Sequence, residues 1–510
     1  MQSEQRSSPE SAELVKRSMG GGLWLFGGAI TTNVLKAGLM IVLARLIAPA
    51  EFGVFAEATT LMALITVAVE LGLGSALVQR KEIDARHESS ALILTVFSGL
   101  FACLVLAVVA DPWSRYRNIA EIGGAMRLLG VSLLFRAPAT IPAMLMMREL
   151  RMREVAVLQL GAFVFGQASV SIVLGLLGYG SWALVLGTVV GAFLELVLFL
   201  ARRPVSILKG FSMNAARELM NFGGGFTVAK IANAVALQGD NLIVGLTLGS
   251  TALGLYSRAY SLLAIPSALV DSLDRAFFPA LSRVQDDKAA LGSTFRMALL
   301  SVAVVALPLS ALVTFLAPEV VELLLGSRWI GVVSPLQILA PVMFFRIAYK
   351  VGSTTIRAGG RVAVLALSQA IYAINVLAGA YWGSSYGLAG SACGVGLAIG
   401  VQYVLMIPIG ARQLGVSIGD ALIPCRGALI MFVTTSVAVY GVTRLSRTMG
   451  FPSVVTLAFG VLAFVTGAAL VFRFGSARIL GAEYWDFTTG MLVKVRGRLR
   501  TKRPQMSAAG

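Results

Sequence analysis

The amino-acid sequence predicts an all-α protein that crosses a membrane about fourteen times. Its apolar residues gather in separate blocks, the connections between blocks are alternately basic and nearly uncharged, and only 13% of residues are charged. An apolar block of about 20 residues crosses a bilayer as a helix, because hydrocarbon offers the backbone no partner and a helix satisfies itself. Soluble domains average roughly 25% charged residues; here hydrophobic residues reach 57% and the mean hydropathy is +0.83.

Taken in order, the spans are expected near 21–44, 52–76, 90–110, 123–147, 155–177, 181–201, 223–247, 251–276, 294–317, 331–356, 362–381, 386–410, 427–445 and 452–473. Turn residues stand at Pro49, Asp111-Pro112, Gly178-Tyr179-Gly180, and Gly383 with Gly387. Lys and Arg collect in loops that stay cytoplasmic. With the Lys16-Arg17 end inside, the inside connections hold Arg80, Lys81 and Arg86; Arg148, Arg151 and Arg153; Arg202, Arg203 and Lys209; Arg283 and Lys288; Arg357 and Arg361; and Arg412 and Arg426. The outside connections hold Arg45, Arg115, Arg117, Arg328, Arg444 and Arg447. No loop is out of phase, so both ends are expected in the cytoplasm.

The organisation expected is a cytoplasmic tail (1–20), a six-span lobe (21–202), a connector (203–222), a second six-span lobe (223–411), two extra helices (412–475) and a basic cytoplasmic tail (476–510). Ile207, Leu208, Phe211, Met213 and Leu219 among basic residues suggest an amphipathic connector helix on the membrane face. No cleavable leader is evident, since residues 1–19 carry Glu4, Glu10 and Glu13, so the first apolar block is read as a retained span.

The net charge of +17 does not indicate nucleic acid, because the basic residues flank apolar spans and suit anionic lipid headgroups. Cys103, Cys393 and Cys425 have no paired spacing and read as small core residues, and the single histidine, His87, excludes a His-based zinc site or two-His catalysis. No cofactor is expected beyond a coupling proton or sodium ion.

The two halves repeat. Residues 41–61, IVLARLIAPAEFGVFAEATTL, match 242–262, LIVGLTLGSTALGLYSRAYSL, at an offset of 201. The match aligns Gly53 with Gly254, Phe55 with Tyr256, Ala58 with Ala259 and Leu61 with Leu262. A parallel repeat of this kind places two bundles about an axis along the membrane normal, a form that suits alternating access.

Charges inside a membrane are costly and mark cavities or pathways. In the tenth span Arg346, Lys350, Arg357 and Arg361 recur at steps of four, seven and four, on one helical face. Lys36 shares a face with Thr32 and Asn33, Lys230 lies with Asn233, Arg136 is mid-span, and Arg258 opens the eighth span. Arg127 reads as a snorkelling interface residue. The candidate substrate-binding cations are therefore Arg346, Lys350, Arg357, Lys36, Lys230, Arg136 and Arg258. Among the acids, Asp240 and Glu70 are candidates for ion coupling or for charge balance. A lining of this sign attracts phosphate and repels organic cations.

The stretches LARLIAPAEFG (43–53), ELGLGSALVQRKE (70–82), MMRELRMR (146–153), LGYGSWALVLG (177–187), FGGGFTVAK (222–230), GDNLIVG (239–245), LGLYSRAYSLLAIP (253–266) and FFPALSRVQDD (277–287) resemble the prokaryotic polysaccharide exporters. These are the Wzx-type flippases of the MATE-like MOP superfamily. The resemblance implies twelve core helices in two lobes plus two more, in a bacterial inner membrane. It implies a polyprenyl-pyrophosphate-linked oligosaccharide as substrate, moved to the outer leaflet for exopolysaccharide, capsule or O-antigen assembly beside a polymerase and chain-length or export proteins. Related chains often carry a basic residue where this one has Leu246-Thr247. The rival readings are an ion-coupled drug exporter, which calls for an acidic cavity, and a polysaccharide polymerase, which calls for a large outside loop.

Cysteines placed at Asn118 and Leu445 should react with a membrane-impermeant reagent in intact cells, whereas cysteines at Ala85 and Ala289 should not. Labelling at Ala289 would break the assigned sidedness.

Overall fold

The computed structural model describes residues 31–69, 74, 77, 80, 82–205, 210–224, 227–283, 288–474, 477–486 and 488–489, and these contain helices and no strand. The helices run α1 (31–46), α2 (Pro49–Val69), α3 (Ala85–Arg117), α4 (Ala120–Arg148), α5 (Met152–Leu176), α6 (Ser181–Arg202) and α7 (Met213–Gly224). After the run Thr227–Arg283 come α10 (Lys288–Leu324), α11 (Val333–Ala358), α12 (Val362–Ser384), α13 (Gly387–Gln413), α14 (Arg426–Thr448) and α15 (Ser453–Phe474).

Among the described residues, 12 helical stretches are long and apolar enough to cross a membrane. The sequence leads one to expect fourteen, and the difference has two sources. The expected first span begins at residue 21, outside the described residues, which start within it at 31. The seventh and eighth spans fall in the single 57-residue run Thr227–Arg283. That run is two helices. Gly249 sits at φ 88°, ψ 173°, and the Tyr256 hydroxyl donates to Asp240 Oδ2 at 3.2 Å. On a straight helix residues 16 apart would lie about 24 Å from one another. The chain therefore folds back at Gly249, where glycine alone adopts the positive φ without strain. We call the two arms α8 (227–248) and α9 (250–283).

One turn lies elsewhere than expected. Asp111-Pro112 sits inside α3, and the reversal comes at Asn118, which adopts φ 53° and donates its N–H to Arg115 O at 3.2 Å. Asn tolerates the left-handed conformation that ends a helix, and this local preference, rather than the proline, sets the boundary. The expected outside segment 111–122 is thereby reduced to residues 118–119 between helices.

The described residues fall into two compact units. The first lies within Met1–Ala268, Leu324–Pro335 and Gln369–Ala398, the second within Leu269–Leu323, Leu336–Ser368 and Ile399–Gly510. A core of the first joins Val54, Ala58 and Leu61 of α2 to Leu106, Ile122, Met126, Leu129 and Val185. A core of the second joins Phe295 and Leu299 to Met343, Phe344, Ile347 and Val351 of α11 and to Ile407 and Met431.

Helix α7 buries one side against the first unit. Ala215, Ala216 and Leu219 are buried, Leu219 against Leu77, Leu92, Ile141, Leu145 and Val205, while Phe211 and Met213 remain exposed. Glu218 pairs with Arg80 and faces His87 Nε2 at 3.4 Å, and His87 completes a capping box with Asp84 at the start of α3. Hydrogen bonding from Arg80, and then from His87, holds the Glu218 carboxyl below its usual range. Ile207 and Leu208 lie outside the described residues.

The repeat seen in the sequence has a physical counterpart. A Cβ on Gly53 would fall 1.7 Å from Ser250 O, and one on Gly254 would fall 2.0 Å from Pro49 O. Pro49 and Ser250 are themselves 201 residues apart, so the two clashes are equivalent contacts, one from each repeat. Helices α2 and α9 cross backbone to backbone at this pair of glycines, and no larger residue fits. Gly53→Ala or Gly254→Ala should each lower stability by about 1–3 kcal/mol through overpacking, read as a fall in the unfolding midpoint of detergent-purified protein. An unchanged midpoint for both would contradict the crossing.

Candidate functional site

The deep charges of the first unit are held in three different ways. Glu57 is 1% exposed on α2, where a lone carboxylate would be costly. It accepts from Trp113 Nε1 at 2.9 Å and from Arg117 Nε at 2.7 Å, both on α3. The same guanidinium donates to the carbonyls of Gly245 and Leu246 at the end of α8. One ion pair thus ties three helices together. It also places a cation beside Leu246-Thr247, the segment that lacks one of its own. Arg127 is tied similarly, to Asp111.

Arg258 is held by an aromatic face. Its guanidinium carbon lies 4.4 Å from the Phe52 ring centroid, a cation–π contact that offsets part of its desolvation. Its Nε has no hydrogen-bond partner among the described residues. Phe52 in turn packs edge-on against Trp329 at 5.3 Å, and Trp329 Nε1 donates to Ala44 O at 2.8 Å. Arg258 accordingly belongs to a packed aromatic cluster.

Lys36 and Arg136 are the third case. Both are exposed, on α1 and α4, and both lie within electrostatic range of Glu195 on α6. Lys36 Nζ stands 5.9 Å from the Phe163 ring centroid. Phe163 lies in the π-helical turn Ala162–Ala168 of α5, a distortion often found beside functional sites. Among the described residues, two cations thus lie within electrostatic range of one carboxylate.

Asp240 is 3% exposed and accepts from the Tyr256 hydroxyl, and Tyr256 stacks edge-on with Tyr260 at 5.2 Å. The side chain of Lys230 and the whole of Glu70 lie outside the described residues. In the second unit, α11 carries Arg346, Lys350 and Arg357. Met343, Phe344, Ile347, Ala348 and Val351 of that helix are buried in the core, which leaves Arg346 and Lys350 half-buried beside them and Arg357 exposed. Arg361, expected to extend the stripe, lies past the helix end. Arg447 is forked onto Glu319 at 2.8 and 2.9 Å. Among the described residues, no group of His, Cys, Asp and Glu could hold a metal ion, and Cys103, Cys393 and Cys425 are free thiols.

The sequence shows Glu57 and Arg117 separately and hides the pair, because 60 residues separate them. Arg117→Ala leaves Glu57 buried with only the Trp113 donor. It should cost about 3–5 kcal/mol of stability, measured by unfolding in detergent, and adding Glu57→Gln should recover much of the loss. A single variant as stable as the parent would show that the pair holds nothing.

Known proteins add an independent line. Residues 42–334 match the family described as polysaccharide biosynthesis protein. The chain is 23% identical over 338 residues to the lipopolysaccharide biosynthesis protein WzxC of Escherichia coli, covering 65% of this chain and 68% of that one. It is 26% identical over 322 residues to the succinoglycan biosynthesis transport protein ExoT of Rhizobium meliloti, covering 62% and 64%. The chain thus aligns with about two thirds of the length of these relatives. In fold it is similar to the lipid II flippase MurJ in an inward closed conformation, with a TM-score of 0.69 at 13% identity over 88% of this chain and 99% of that one. It is similar also to an inward-facing MATE multidrug transporter, with a TM-score of 0.59 at 14% identity over 74% and 94%.

Proposed function

The chain belongs to the polysaccharide biosynthesis protein family, and from that premise we propose that it flips polyprenyl-pyrophosphate-linked oligosaccharide units from the cytoplasmic to the outer leaflet by alternating access. The observation that carries this reading is the pair of cations at membrane depth, Lys36 and Arg136, set against Glu195 among the described residues. A cationic surface at that depth recruits a diphosphate, and an organic-cation exporter has no use for one. WzxC and ExoT, whose names place them in lipopolysaccharide biosynthesis and succinoglycan transport, support the same substrate class.

A polymerase reading has less support, because the connection between α3 and α4 offers two residues for a catalytic loop. The sidedness follows the basic loops, with both ends in the cytoplasm. The Glu57–Arg117 tie lies at the outer ends of its helices on this assignment, and it must part for the outer leaflet to be reached.

Arg346 and Lys350 on α11, in the second unit, offer phosphate contacts of their own. Arg forks onto phosphate oxygens and Lys acts as a point charge. Asp240 is the carboxylate through which a proton or sodium gradient acts, switching between its bond to Tyr256 and a charged partner. Flipping that ignores both gradients would end that assignment.

In cells lacking the native gene, Arg346→Ala should reduce polymer export more than Arg346→Lys, with Lys350→Ala intermediate. Full export by the Arg346→Ala, Lys350→Ala double variant at normal protein level would refute the role of α11.

A further inference from the structure

A cavity of about 340 Å³ lies inside the first unit, between α2, α3 and α4. Its size falls in the range of small-ligand pockets, about 300–1,000 Å³. Its walls combine apolar side chains, among them Met62 and Leu133, with four hydroxyls and Arg136.

The hydroxyls have little to offer a ligand. Thr66 donates to Met62 O at 2.7 Å, Thr95 to Leu92 O at 2.8 Å, Ser98 to Thr95 O at 3.0 Å and Thr140 to Arg136 O at 3.2 Å. Each proton is spent on a carbonyl of its own helix, so these groups behave as nearly apolar wall. Donor capacity then resides in the guanidinium, with its five N–H groups.

Arg136 is unlike its neighbours. Arg117 is held by Glu57, Arg127 by Asp111, Arg148 by the carbonyls of Leu77 and Arg80, and Arg258 by the Phe52 ring. The guanidinium of Arg136 makes no hydrogen bond or ion pair among the described residues, and Glu195 lies within electrostatic range of it. It stands about 18 Å of helix from the Arg148 end of α4, at a depth where an unengaged guanidinium is expensive. Lys36 adds a second positive charge within electrostatic range.

An apolar chamber with one unspent cationic fork at its edge matches an amphiphilic anion. A sugar ring would bring several acceptor oxygens and find one donor group for them, while free phosphate would gain nothing from the apolar wall. We propose that this cavity holds the first isoprene units of the lipid carrier, with the carrier's phosphate on Arg136 and Lys36. The proposal rests on the flippase reading for the identity of the carrier. It deepens that reading by assigning the lipid and its phosphate to a chamber within one bundle of helices.

The test uses a farnesyl phosphate carrying a diazirine in its first isoprene unit, photolysed with the full-length purified protein, and adducts mapped by peptide sequencing. Adducts should fall on α3 and α4, be displaced by undecaprenyl phosphate, and drop about tenfold in Arg136→Gln, the equivalent of one charge-assisted contact. Arg136→Lys should keep part of the labelling, and Ser98→Phe, which fills the chamber and keeps the guanidinium, should abolish it. Adducts elsewhere, labelling indifferent to Arg136→Gln, equal labelling by the diazirine alcohol without phosphate, or equal displacement by phosphatidylglycerol would each overturn the proposal. Labelling does not depend on turnover. A protein that labels as stated but exports no glycan overturns the flippase reading and keeps the site. One that exports glycan but labels elsewhere overturns the site and keeps the reading.

Discussion

Hydrocarbon supplies neither hydrogen bonds nor dielectric screening, and the arrangement of this protein follows from what it does with the polar groups that such a solvent leaves unserved. The backbone is settled by helices throughout the described residues. Side-chain charges cannot settle themselves, and each must find a partner or be retained for a ligand. Glu57 finds Arg117, Glu319 finds Arg447, and Arg258 finds the face of Phe52. These contacts join elements far apart in sequence, so satisfying the charge also fixes the fold. Removing one partner costs more than the pair itself contributes, because the charge left behind stays buried. Against that background the Arg136 guanidinium, near Glu195 but without a hydrogen bond or ion pair among the described residues, stands apart.

Close approach of helices is the second consequence. Without a hydrophobic drive between helices in lipid, association relies on packing, and small residues let backbones touch. The glycine pair 53 and 254 brings α2 against α9 through equivalent positions of the two repeats. The same two helices bear Glu57 and Arg258, which the offset of 201 also makes equivalent. One repeat position therefore carries an acid in the first half and a base in the second, and each is neutralised by a different device. The backbone crossing is shared by the two repeats while the side chains at this position differ.

Much of this was legible in the sequence. Helical spans follow from apolar blocks, the breaks at Gly178, Gly180 and Gly387 fall at positive φ as turn residues should, and the repeat paired Gly53 with Gly254, though not their contact. The proline at 112 misled because a helix end is decided by the residue able to take the left-handed conformation, here Asn118. The Glu57–Arg117 tie was hidden because periodicity reports neighbours on one helix and says nothing of a partner 60 residues away. The ring that covers Arg258 was hidden for the same reason, since it belongs to another helix. The cations named from the sequence also divide by unit, with Lys36, Arg136 and Arg258 in the first and Arg346, Lys350 and Arg357 in the second.

Movement of a diphosphate-linked glycan across the membrane, with the deep cations proposed to serve the diphosphate, is open to direct measurement. Purified protein reconstituted into vesicles, with a fluorescent polyprenyl-pyrophosphate oligosaccharide in the inner leaflet, measures this directly through outer-leaflet quenching. The label should appear outside only with the protein present, the signal should be lost in Arg136→Gln, and polyprenyl diphosphate but not organic cations should compete. Transport of organic cations with no movement of the lipid-linked glycan would contradict the flippase reading.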